Sequence, residues 1–143
     1  GHLSTVRHLI EVHNANVHAT NEWQCSTSHW VAMSIGMNGP TEVIELCDYL
    51  VIKCGVDFSI CQKQGHTPLH KAASKKNRHV IEWMANHKSL CSDDDDYDDD
   101  EKNKEKKKLL GSVDVGGNRP SDIWSSVGGD LEFGIWMTEK CGW

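Results

Sequence analysis

Nine histidines and six cysteines are the side chains of this 143-residue sequence with the widest chemical reach. Imidazole and thiolate ligate transition metals, and a thiolate beside an imidazole is a nucleophile. The densest grouping is Cys54, Cys61, His66 and His70, with six, four and three residues between successive members. A structural zinc site needs four ligands converging tetrahedrally, typically with cysteines two to four residues apart. No Cys-x-x-Cys occurs, and Cys25, Cys47, Cys54, Cys61, Cys91 and Cys141 stand singly. The spacing therefore speaks against zinc, and the scatter speaks against a cysteine–histidine catalytic pair. There is no Gly-x-Ser-x-Gly elbow for a serine nucleophile and no Gly-x-Gly-x-x-Gly or Gly-x4-Gly-Lys-Ser/Thr loop to cradle phosphates. No catalytic residue, cofactor site or metal site is expected in this stretch.

Composition narrows the remaining classes. The formal charge is −6 and the pI about 5.8, against the basic face that nucleic acid selects. Mean hydropathy is −0.54, and no apolar run approaches the roughly 18 residues of a membrane span. A soluble monomer that binds neither nucleic acid nor membrane is expected. Single cysteines, without the crowding of a disulfide scaffold, read as reduced thiols in a cytoplasmic or nuclear protein. The chain opens on Gly1-His2-Leu3 without initiator methionine or signal peptide and is expected to be a piece of a longer protein.

The elements that position these side chains show in an internal repetition. Gly65-His66-Thr67-Pro68-Leu69-His70-Lys71-Ala72-Ala73 is followed by the apolar stretch Val80-Ile81-Glu82-Trp83-Met84. This predicts two short helices. Thr67 is a good N-cap, Pro68 occupies the first helical position where its missing N–H is harmless, and Lys75 to Arg78 form a polar break. Ala72 and Ala73 let a neighbouring helix approach closely. Upstream, Ser26 to Ala32 copies Thr67 to Ala73 position for position. Glu42 to Val51 then supplies a second helix, with Val43, Leu46, Cys47 and Leu50 at i, i+3, i+4, i+7 spacing. Val6, Leu9 and Ile10 read as the tail of a second helix. Near the end, Arg119-Pro120-Ser121-Asp122-Ile123-Trp124 repeats the entry, and Leu131 to Met137 gives a closing helix.

Thr67-Pro68-Leu69-His70-x-Ala72-Ala73 resembles the ankyrin signature, and the flanks resemble it too. Gly1-His2 with Val6, Leu9 and Ile10 is similar to the family's second helix. Asn16-Val17-His18-Ala19 and Val56-Asp57-Phe58-Ser59 are similar to the stretch leading into its hairpin. The resemblance implies an all-α solenoid of stacked helix-turn-helix units with short hairpin loops. Residues 1–87 would hold a partial repeat and two complete ones, residues 88–112 a disordered charged insertion, and residues 113–143 a degenerate cap. It also implies that His70 with Thr67, and His29 in its own unit, tie hairpin to helix rather than bind metal.

Two departures qualify this. Ankyrin units recur every 33 residues, yet Gln24, at the hairpin-glycine position, lies 41 before Gly65, which lies 52 before Gly117. The first excess is expected in Ile35 to Thr41, which holds Gly36, Asn38, Gly39 and Pro40. The second is expected around Asp93 to Lys108, where acidic then basic runs cannot bury enough apolar surface to fold. In the last unit, Asp122 replaces the signature histidine and Trp124 an alanine; terminal repeats are often atypical because they cap the stack.

The resemblance implies a binding module whose partner is another protein, met on the concave face of hairpin tips and inner helices. The variable positions there are Glu22, Trp23, Cys25, Trp30, Met33 and Ser34 in one unit. In the next they are Lys63, Gln64, His66, Lys71, Ser74 and Lys75. Trp23 and Trp30 stand out, since exposed tryptophans are frequent interface anchors; the alternative for Trp30 is packing on a neighbouring repeat. Trp83 and Trp136 read as core. An alternative function is a regulatory or targeting segment of a larger enzyme or signalling protein.

Overall fold

A computed structural model describes residues 2–36, 38–87, 90 and 112–141. Among these residues every regular element is a helix: α1 (Leu3–Glu11), α2 (Thr27–Ala32), α3 (Pro40–Asp48), α4 (Pro68–Ser74), α5 (Arg78–Asn86), α6 (Pro120–Ser126) and α7 (Leu131–Cys141). The described residues form paired short helices and no strand.

The helices start where local chemistry dictates. Thr67 caps α4 by accepting from the His70 amide at 3.4 Å, and Pro68 follows at the first position. Pro40 and Pro120 open α3 and α6 in the same way. Asp130 caps α7, its Oδ1 accepting from the Phe133 amide at 2.8 Å. Such caps satisfy amides that have no partner inside the helix.

Packing arranges the helices in two rows. α2, α4 and α6 stack side by side as an inner row, and α1, α3 and α5 as an outer row. α2 pairs with α3, α4 with α5, and α6 with α7. Ala32, Ala72 and Ala73 are wholly buried in the inner row, where small side chains let helices close on one another. Leu69, Ile81, Met84, Val43, Leu46, Leu50 and Phe58 fill the space between rows. Each such fully buried large side chain contributes roughly 1.5–3 kcal/mol. Trp83 packs against this core with its ring edge-on to Phe58, and its indole N–H donates to Asp48 at 2.8 Å. Trp136 stacks on Phe133.

The extra length of the first full unit is divided between two places. The connection between α2 and α3 spans residues 33–39, against 75–77 in the next unit. α3 also runs on through a π-helical turn, Tyr49–Lys53. Breaker residues mark the first part. The second follows Asp48 and is mostly apolar, Tyr49 to Ile52 before Lys53, a composition that is compatible with helix throughout and carries no such mark. The charged stretch expected over 88–112 lies outside the described residues apart from Leu90 and Ser112.

Candidate functional site

Three hairpins project from the inner row: Asn21–Cys25, Gln62–His66 and Asp114–Asn118. Each is closed by a backbone bond from its first residue to its last, Asn21 N–H to Cys25 C=O (3.1 Å), Gln62 N–H to His66 C=O (3.0 Å) and Asp114 N–H to Asn118 C=O (2.9 Å), and by a second from its fourth residue back to its first, from Gln24, Gly65 and Gly117. Their first side chains hold the turns from inside. Asn21 Oδ1 accepts from the Trp23 and Cys25 amides, Gln62 Oε1 from the Gln64 amide, and Asp114 Oδ1 from the Asn118 amide. The fourth residue of each takes a left-handed backbone, with φ of 62° at Gln24, 78° at Gly65 and 79° at Gly117. At Gly65 a Cβ would stand 2.9 Å from the Val115 amide nitrogen, so glycine also permits the close approach of the next hairpin.

The hairpins are bonded into a row. Lys63 N–H donates to Trp23 C=O at 3.1 Å, and Val115 N–H to Gln64 C=O at 3.0 Å. Two buried histidines then fasten each unit to the next. His29 Nδ1 accepts from the Ser26 amide (3.2 Å) and contacts the Ser26 hydroxyl (2.9 Å), while Nε2 lies 3.0 Å from His66 C=O. His70 repeats this with Thr67 at 3.1 and 2.8 Å and with Asn118 C=O at 3.1 Å. A carbonyl can only accept, so Nε2 carries the proton and both rings are neutral. Burial, partly offset by the Asn118 carbonyl, pushes His70 down to about 4; burial likewise lowers His29.

In the last unit Asp122 Oδ2 accepts from the Arg119 amide at 2.8 Å, reproducing the backward half of the histidine's work. A carboxylate has no proton to pass forward, so this position cannot make the onward bond.

The residues marked for partner contact fall in different environments. Glu22, Trp23, Lys63, Gln64 and Lys75 are exposed, with Trp23 at 56% on the hairpin row beside Lys63. Met33, Ser34, Lys71 and Ser74 are half-buried along the inner helices. Cys25 is only 8% exposed and offers a partner almost nothing, because its position points inward behind the turn. Half-buried His66 is a tie between hairpins: Nδ1 pairs with Gln62 at 3.0 Å and Nε2 with Asp114 Oδ2 at 3.1 Å. The Asn118 amide above all, with the His66 ring as a lesser contributor, holds Asp114 down to about 2. Trp30, also 56% exposed, faces away from the next unit, into a groove shared with α1.

Two positions that build this face and its support escaped the sequence. Val115, 79% exposed, continues the hairpin row beyond Gln64, but the unit's degenerate signature hid its register. Asn77, read as part of a polar break, is buried and donates to Ala32 C=O (3.1 Å) and Ser34 C=O (2.6 Å) of the preceding unit.

Every imidazole of this region, His29, His66 and His70, has both ring nitrogens engaged, so none is available as a metal ligand or general base without breaking the row. Cys25, Cys47, Cys54 and Cys61 are free thiols. Among the described residues no helix is long and apolar enough to cross a membrane. What the face offers instead is a rigid, mixed surface: an aromatic ring, an exposed valine, lysines and hydrogen-bonding side chains on a bonded frame. Residues 28–85 match the family model of ankyrin repeats (many copies). Among curated proteins none matches the chain.

Proposed function

We propose, from the premise that residues 28–85 belong to the ankyrin repeat family, that this chain binds another protein through its hairpin row and inner helices. Ankyrin repeats are generally protein-binding, non-catalytic modules. The observation that carries the finer reading is the bonded row Trp23–Lys63 and Gln64–Val115, which presents Trp23, Lys63, Gln64 and Val115 on consecutive tips. A preformed row loses little conformational freedom on association, so contact free energy is retained as affinity. Glu22, Met33, Ser34, Lys71, Ser74 and Lys75 flank it. The lysines at 63, 71 and 75 favour a partner segment carrying acidic side chains, with the Trp23 ring as its apolar anchor.

The test is capture from source-cell lysate with mass spectrometry, comparing the parent with a Trp23→Ala, Lys63→Glu, Lys71→Glu variant matched for helicity. A protein held by the parent and lost by the folded variant supports this face. Equal capture by both places the binding elsewhere.

A further inference from the structure

His8 and His13 lie apart from the hairpin row, exposed at the C-terminal end of α1, and their Nε2 atoms stand 3.2 Å from each other. The backbone sets this pair. α1 closes with Val12 N–H on His8 C=O at 3.0 Å. A left-handed Asn14, at φ of 51°, then turns the chain so that Ala15 N–H meets Leu9 C=O, also at 3.0 Å. His13 is thereby brought beside His8, which belongs to the last turn of the helix. The four residues between them fit the interval of about three to five that separates paired histidine ligands of zinc. Cysteine spacing, which spoke against zinc near His70, does not bear on a pair of histidines.

The two rings do not face each other head-on. A straight N–H···N bond of this length sets ring centroids about 5.5 Å apart, whereas these lie 4.9 Å apart with the ring planes at 74°. The shorter separation bends the rings off the line joining the nitrogens, which weakens a hydrogen bond but suits a shared ion. Across the observed 3.2 Å, metal–nitrogen bonds of about 2.0–2.1 Å meet at about 100–105°, near the tetrahedral angle. The same bonds set the centroids about 4.9 Å apart. From these two distances we infer that His8 and His13 together bind one divalent cation of the zinc class, each through Nε2. Neutral imidazole is a favoured zinc ligand, and an angle close to tetrahedral selects zinc over ions that prefer a square plane. The ion sits at the negative end of the α1 dipole, on a chain of formal charge −6. The neighbouring cation, Arg7, is paired with Glu11 at 3.2 Å, and that carboxylate also accepts from Tyr49. Among the described residues no third His, Cys, Asp or Glu joins the pair, so the remaining positions fall to water. Neither histidine belongs to the hairpin row, and the site is independent of what that row binds.

The experiment titrates Zn2+ at pH 7.5 into the isotope-labelled full chain, its thiols kept reduced, and follows the imidazole nitrogens by NMR. His8 and His13 should respond through Nε2 along one shared curve, with both rings in the Nδ1–H form at saturation. Two linked ligands hold an ion roughly tenfold or more tighter than one, so this curve should lie that far below those of His18 and His79, both exposed. His8→Ala should weaken binding at His13 by a similar factor, and His13→Ala should do the same at His8. Both positions are exposed, so helix content should be unchanged in either variant. Separate curves for the two rings, or affinity no better than at His18, would overturn the inference. So would unchanged binding at His13 in His8→Ala, since the contact is then only a hydrogen bond between two rings.

Discussion

His70 Nε2 sits 3.1 Å from the carbonyl oxygen of Asn118, 48 positions further along the chain, while Nδ1 of the same ring accepts from Thr67. One neutral side chain thus closes its own helix cap and clamps the following unit. His70→Ala leaves the buried Thr67 amide without this partner, at roughly 1–3 kcal/mol for an unsatisfied buried group, while the exposed Asn118 carbonyl keeps its bond from the Asp114 amide. Urea unfolding at pH 7.5 should show a loss of about 2 kcal/mol. A loss under 1 kcal/mol would mean that water or local rearrangement replaces the clamp.

The same ring makes stability depend on pH. Unfolded, it takes up a proton near the ordinary 6.5; folded, only near 4. Between those values the unfolded chain holds more protons, so the His70 contribution is complete above pH 6.5 and is lost as pH falls toward 4. The size is on the order of 3 kcal/mol, and His29 acts in the same direction. Asp114, held at about 2, contributes above its unfolded value of 3.8 and loses that contribution only as pH falls toward 2. Unfolding midpoints measured from pH 7.5 to 3 should therefore drop in two windows. In His70→Gln the upper drop should shrink to the His29 share; an unchanged upper window would assign it elsewhere.

Gln24 holds φ at 62° where the other two hairpins have glycine. A left-handed backbone costs a residue with a Cβ roughly 1–2 kcal/mol, so Gln24→Gly should stabilise the fold by about 1 kcal/mol. Gly65→Ala acts oppositely and more strongly, since its methyl group also meets the Val115 and Asp114 backbone. Thermal unfolding of the two variants should move the midpoint up and down respectively. Movement in the same direction would contradict this account.

Asn77 ties the turn between α4 and α5 to the end of α2 through two carbonyls. Asn77→Ala removes both donors and should destabilise by about 2 kcal/mol, with amides near the start of α5 exchanging faster. Asn77→Asp should be no better, because a carboxylate cannot donate to Ala32 and Ser34.

The sequence by itself determined the unit: helix starts, the polar break and the inward apolar stripes are local matters of capping, proline placement and spacing. Thr67-Pro68-Leu69-His70 specifies both a helix entry and a ring whose Nδ1 turns back on that entry, all within four residues. It also showed that Asp122 departs from the pattern. Only the tertiary structure decided what the outward nitrogen of each ring meets, because Asn118 reaches His70 only when two units stack. For the same reason His66 moved from contact residue to tie, Asn77 from loop residue to buried bridge, and Cys25 out of reach of a partner. Trp23 and Trp30 carry the same ring and the same exposure, yet one lies on the hairpin row and the other in the groove beside α1. That difference is set by which neighbour covers each face, and a spacing along one chain holds no record of it.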